Sequence, residues 1–429
     1  MSVSSSTITS EKERIESLDV LRGFALLGIL LLNIQGFGLA SAFFMEPATY
    51  VKTEWGVDFV VWVLVELTSE GVMRTLFSML FGAGVVLFVS GARAKSGWLH
   101  YRRTFWLLVF GLIDIYLLLW YGDILVTYAL AAAILWLVRD WTPRRLIILA
   151  VVLVSLGTLQ SLGSRVGLEM SRDAFFELSE LDLTKAEPKA DVKEFAQGWT
   201  DFKSDLRSDE SAIQSELEAR GNSYFSAFRY NLEKANEVLF FQIPFVLLLD
   251  ALMMMVVGMA LYKLGILGGE REPRFYRNMA LLGFTLGLAI NAYEIWASLE
   301  SAMDVLVTAP IFRPTYHLGR LSMALGYLGV ILWVLKCGWL EAFRSRLACV
   351  GRMALTNYLV HSVLGLLIFS GAGLGLIGSL SFAQLYPVVM VIWLVQLAYS
   401  PWWLSRFYFG PAEWVWRCLT YLERPKLRR

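Results

Sequence analysis

Residues 17–37 read SLDVLRGFALLGILLLNIQGF, a run that is apolar for most of its length yet carries Asp19, Arg22 and Asn33. A helix needs about 20 mostly apolar residues to cross the hydrocarbon layer, and this run supplies them. Asp19 and Arg22 are three residues apart, and Arg22 and Asn33 eleven, close to three full turns. At 3.6 residues per turn the three side chains project from one side of the helix, with Asn33 about 21 Å along the axis from Asp19. Two charges at an interface are stabilised by snorkelling and by their own pairing. An amide deep in the span has no such account. The stripe therefore reads either as a structural polar network or as one wall of a polar passage.

The rest of the chain fits the same class. It has 429 residues, 57% hydrophobic and 17% charged, with a mean hydropathy of +0.56. A soluble domain of that balance would expose large apolar patches. Apolar runs predict about ten spans, at 18–41, 71–91, 104–121, 123–138, 146–163, 238–263, 279–299, 315–336, 353–372 and 384–404. Helices are expected, because lipid offers no partner for a free backbone amide. Residues 55–68 (WGVDFVVWVLVELT) hold Asp58 and Glu66 and are short, so they predict an interfacial or re-entrant helix. The fold expected is an all-α polytopic membrane protein, with bundles at 18–163 and 238–404 and a polar, mainly helical insert at 164–237. The segments 1–17 and 405–429 read as tails.

Lysine and arginine set the expected orientation. Arg93, Lys95, Arg102 and Arg103 follow the second span, Arg139, Arg144 and Arg145 the fourth, Lys263 to Arg277 the sixth, and Lys336 to Arg352 the eighth. These segments alternate with loops poor in base. Both termini are expected in the cytoplasm and the insert in the periplasm. The first apolar run is too long and too polar for a cleaved leader. No basic stripe points to nucleic acid. Cys337, Cys349 and Cys418 show no metal-type spacing, so no metal is expected.

Several helices carry a polar residue that a pure scaffold would gain little from burying. Glu70 and Arg74 are four apart at the start of the second span, a spacing that favours an ion pair. Asp114 and Asp250 lie mid-span, Asn291 and Glu294 share a face, and so do Asn357 and His361. Asp123 follows the Gly122 turn, where it would cap the next helix. His317 stands near Arg313 and Arg320. Acid–base chemistry in the membrane would fall to His317, His361 or a carboxylate of shifted affinity. The sequence has no GxSxG, Walker or HExxH pattern.

SLDVLRGFALLGILLLNIQGFG (17–38), RTLFSMLFGAGVVLF (74–88), YGDILVTYAL (121–130), GRMALTNYLVHS (351–362) and FGPAEWVWR (409–417) occur in this order. Together they resemble the YeiB-like family of bacterial inner-membrane proteins, nearly end to end apart from the N-terminus and the insert. Asp19, Arg22-Gly23 and Asn33 are also similar to the first span of transmembrane acyltransferases of the heparan-α-glucosaminide N-acetyltransferase type. That resemblance implies transfer of an acyl group from cytoplasmic acyl-CoA to an acceptor, often a glycan, across the membrane. Its catalytic histidine soon after the first span has no counterpart, since residues 34–70 hold no histidine.

On this reading Arg22, Arg102, Arg103 and Arg352 would meet the donor's phosphates and Asn33 would orient the acyl carbonyl. His317 or Glu70 would be the base. Asp19, Arg74, Asp123, Asn357 and His361 would line the substrate path. The alternative is a transporter for a small metabolite using the same polar groups. A third is a non-catalytic partner protein acting through the insert. Membrane lipid and a small-molecule or glycan acceptor are the expected partners, and the oligomeric state is left open.

Overall fold

A computed structural model describes residues 16–52, 54–89, 96–180 and 189–429. The N-terminal tail before residue 16, and Arg93 and Lys95 of the basic loop, lie outside them. The described residues are almost wholly helical, with a single isolated bridge between Phe407 and Arg428.

In chain order the helices are α1 (Glu16–Gly38), α2 (Val57–Thr68), α3 (Val72–Val89), α4 (Gly97–Tyr116), α5 (Leu125–Leu135), α6 (Pro143–Glu180), α7 (Ala190–Leu206), α8 (Glu210–Asn222) and α9 (Tyr224–Glu237). They continue as α10 (Leu248–Lys263), α11 (Pro273–Glu300), α12 (Val305–Thr308), α13 (Tyr316–Lys336), α14 (Glu341–Arg352), α15 (Ala354–Phe369), α16 (Leu385–Arg406) and α17 (Pro411–Tyr421). Among the described residues, seven helical runs are long and apolar enough to cross a membrane: α1, α2–α3, α6, α9–α10, α11, α13 and α16. An eighth is added if α14 and α15, bent by 79° at their junction, count as one span. The chain is a multi-pass helical membrane protein. Each of the ten expected spans contains a helix among the described residues. The count differs because α5 has 11 residues, α4 opens on polar residues, and α15 is cut short by the bend.

α1 lies inside the bundle, against α14, α3, α15 and α16. Two glycine crossings set how closely its neighbours pack. A Cβ on Gly23 would overlap the Leu347 carbonyl, and one on Gly351 the Asp19 carbonyl, so α1 and α14 meet backbone to backbone. Gly82 and Gly258 play the same part between α3 and α10. Small residues at crossings are the usual means of tight packing in lipid, where hydrophobicity does not drive helices together. The lipid-facing surfaces are apolar and exposed, as at Val151 and Leu159 of α6, Leu281 of α11 and Leu394 of α16.

The segment at 55–68, expected as an interfacial or re-entrant helix, forms α2, which together with α3 makes one candidate run, Val57–Phe88. α6 has 38 residues and Tyr224–Lys263 has 40, each about 60 Å long, against about 30 Å of hydrocarbon. Both run from the bundle straight into the insert. The second passes through a π-helical stretch, Val238–Leu247, that contains Pro244; proline has no N–H to give to the ladder, and wide turns occur at such defects.

The insert is bolted to the end of α1. Arg220 of α8 donates to the carbonyls of Gly36 (2.7 Å), Phe37 (3.3 Å) and Leu39 (3.0 Å). It also pairs with Glu216 at 2.9 Å. Glu216 in turn accepts from the backbone N–H and hydroxyl of Ser41. A cation thus fills the last-turn carbonyls of α1 that have no helical partner.

Candidate functional site

The buried charges gather at the insert end of α3, α10, α11 and α13. Asp250 of α10 is the anchor. It accepts a hydrogen bond from Arg320 and lies 3.5 Å from Arg74 Nε. Arg320 is only 1% exposed, and its Nη2 also donates to His317 Nδ1 at 2.9 Å. A guanidinium cannot accept, so Nδ1 carries the lone pair and the imidazole proton sits on Nε2. That nitrogen faces α6, where a Cβ on Gly157 would lie 3.0 Å from it.

Tyr316 connects this group to Glu70. Arg74 Nη2 donates to the Tyr316 hydroxyl at 3.3 Å, and the hydroxyl donates to Glu70 Oε1 at 3.1 Å. The direct Glu70–Arg74 ion pair expected from their spacing is replaced by this bridge. Arg74 turns inward to Asp250, whose buried charge is the costlier one to leave unpaired. Gly71 makes the bridge fit. Its φ is +65°, a left-handed conformation that favours glycine, and a Cβ there would overlap the Tyr316 hydroxyl.

A second group adjoins the first. Arg313, in the loop before α13, lies 3.3 Å from Glu66 Oε2 and 3.4 Å from Glu294 Oε2. Its guanidinium also donates to the carbonyls of Val307 and Thr308. Burial acts to lower the affinity of Arg313 for its proton, and Glu66, Glu294 and Glu70 together outweigh it, so its pKa rises. Thr315 donates to Glu294 at 2.5 Å, and Asn291 Nδ2 to the Leu67 carbonyl at 2.9 Å.

Between the groups is a cavity of about 10 Å³, bordered by Glu66, Glu70, Glu294, Arg313, Tyr316 and Arg320. That is room for about one water. Arg320 Nε and Nη1 are buried with no hydrogen-bond partner among the described residues. The cavity is therefore bordered by acids and by a guanidinium that has two unfilled donors. Such a pairing can take a proton and stabilise a developing negative oxygen in the same place.

The expected site residues fall into separate places. Glu70, Arg74 and His317 come together in the cluster. Asp19 and Arg22 pair with each other at 3.2 Å at the opposite, basic end, where Cys349 of α14 has both Arg352 and Asp19 near it. Asn357 and His361 form a network between α15 and α16. Asn357 donates to the Val350 carbonyl (3.2 Å) and Ser400 (3.3 Å) and accepts from Tyr399. His361 Nε2 meets Gln396 Oε1 at 3.0 Å. Asp123 caps α5 by accepting from Val126 N at 2.9 Å. Asn33 is half-buried, makes no side-chain hydrogen bond among the described residues, and does not border the cavity. Tyr316 was missed by sequence reasoning, because a tyrosine in an apolar helix raises no hydropathy signal. Its place four residues before Arg320 was the available clue.

The family described as "Protein of unknown function (DUF418)" matches residues 261–423. The "Uncharacterized protein YeiB" of Escherichia coli (strain K12) is 31% identical, over 95% of this chain and 96% of its own length. The "Uncharacterized protein YxaH" of Bacillus subtilis (strain 168) is 26% identical, over 97% of this chain and 96% of its own. No solved structure matches the chain.

Proposed function

The chain belongs to the family of YeiB, and from that premise we propose that it is an acyltransferase-like protein of the bacterial inner membrane. Its basic end, with both termini, faces the cytoplasm and its insert the periplasm. It passes an acyl group from a cytoplasmic acyl-CoA to a periplasmic or lipid-linked acceptor. The observation that carries the reading is the cavity shared by Glu70 and the unfilled donors of Arg320.

In the reaction an acceptor hydroxyl or amine attacks the thioester carbonyl and gives its proton to Glu70. The carbonyl electrons move onto oxygen beside Arg320. On their return the C–S bond breaks, and the thiolate takes up the proton to leave as the CoA thiol. Glu70 is a better base than His317 here, since His317 Nδ1 is already occupied by Arg320. Tyr316 holds Glu70 in place.

The test uses purified protein in lipid nanodiscs with labelled acyl-CoA. Transfer or slow hydrolysis is expected. Glu70→Gln should lower turnover by about 100-fold or more, the size of a general-base effect, while leaving donor binding intact. No binding, hydrolysis or transfer with any acceptor pool would sink the reading.

A transporter is the second reading. It is favoured by the π-helical stretch around Pro244 and the 79° break between α14 and α15, since interrupted helices build many transport sites. Uptake into proteoliposomes under a pH gradient, without acyl-CoA turnover, would select it.

A further inference from the structure

Asp114 lies near the end of α4 and is completely buried. Neither of its carboxyl oxygens has a hydrogen-bond partner among the described residues. Its polar neighbours are Ser362 of α15 and a second carboxyl, Asp123 on the turn before α5, whose side chain meets it at hydrogen-bonding range. Gly111, one turn before Asp114, permits the approach: a Cβ there would lie 2.7 Å from Asp123 Oδ2.

Two donors in this pocket serve Asp123, and Asp114 has only the Ser362 hydroxyl beside it. Val126 N donates to Oδ2 at 2.9 Å. The Tyr358 hydroxyl accepts from Ile124 N at 3.2 Å and donates to Oδ1 at 3.2 Å. From α9, Asn231 spends its Nδ2 on the Ile115 carbonyl. Trp120, in the same turn, has a buried Nε1 without a partner. No lysine, arginine or histidine forms an ion pair with either carboxyl among the described residues.

Two ionised carboxylates in contact repel each other. A buried carboxylate with a single hydroxyl beside it also has little to replace its hydration. A proton on Asp114 removes both costs, because the acid O–H can donate to Asp123 and the pair then carries one negative charge. We infer that Asp114 and Asp123 form a proton-binding site, in which Asp114 is the acid and Asp123 the carboxylate that accepts from it. The site shares no residue with the Glu70–Arg320 cavity and does not depend on the transfer reaction.

The experiment compares infrared spectra of the full chain and Asp114→Asn in lipid. The amide of the variant keeps a donor toward Asp123 and so preserves the packing. The wild-type minus variant difference should contain one protonated-carboxyl C=O band above the amide I region, shifted by deuterium exchange. A difference spectrum without that band overturns the site. Should Asp114→Asn fail to fold, the wild-type chain is treated with dicyclohexylcarbodiimide, which adds to protonated carboxyls in apolar surroundings. Peptide mass spectrometry should then place an adduct on Asp114. Adducts confined to other carboxyls, or none, overturn the proposal.

Discussion

Asp250 and Arg320 illustrate how single residues are held in this bundle. Each is buried, and each has further partners: Arg74 for Asp250, His317 for Arg320. Removing one member of a buried pair strands the other. Arg320→Met should therefore lower stability by about 3–5 kcal/mol, read from thermal unfolding in detergent. The double variant Asp250→Asn with Arg320→Met should recover part of that loss, since no buried carboxylate is left short of a cation, while Arg74 keeps the Tyr316 hydroxyl as its partner. If the double variant is as unstable as the sum of the singles, the pairing argument fails. Tyr316→Phe removes one hydroxyl from the bridge and should cost about 1 kcal/mol. Its larger effect should fall on acyl transfer, by freeing Glu70 from its fixed position.

Glu70, Arg74 and His317 were legible in the sequence as polar residues in apolar runs. Their partners were not. The i, i+4 rule pointed Arg74 at Glu70, because it weighs only neighbours on the same helix. Asp250 lies 176 positions away in the chain, and its burial decides where Arg74 turns.

At the scale of elements, the crossings and caps carry the fold. Gly82→Leu would drive a side chain into the Met255 carbonyl. Forced overpacking of this kind costs about 1–3 kcal/mol or more, and chemical crosslinking between α3 and α10 should report their separation. Arg220→Met removes the cation from the last turn of α1. The loss of several charged hydrogen bonds should destabilise the chain by about 2–3 kcal/mol. Arg220→Lys, a point charge without the planar fork, should rescue only part of it. An unchanged melting temperature for Arg220→Met would show the cap to be dispensable.

For the whole molecule, the arrangement that follows from the positive-inside rule is directly testable. Cys337, Cys349 and Cys418 belong to the basic end, while Ser208 lies in the insert between α7 and α8. A membrane-impermeant maleimide added to intact spheroplasts should spare the native cysteines and label Ser208→Cys. The reverse pattern would invert the proposed orientation and with it the side from which acyl-CoA enters. Deleting residues 190–222 should unfold the bundle rather than trim an accessory, because Arg220 and Glu216 are tied to α1 and to Ser41.

The sequence by itself determined the class: a helical, multi-pass membrane protein with a polar helical insert, and helices that each carry a few polar residues. Those features follow from composition and from the rule that backbone amides in lipid must pair within their own segment. Only the tertiary structure decided which polar residues meet. The stripe of Asp19, Arg22 and Asn33 on one helix face did not converge on a site. Asp19 and Arg22 pair at one end, and the charged cavity forms at the other from α3, α10, α11 and α13. The reason is physical: a charge in a low-dielectric bundle is placed by the partner that best offsets its burial, and that partner comes from another helix.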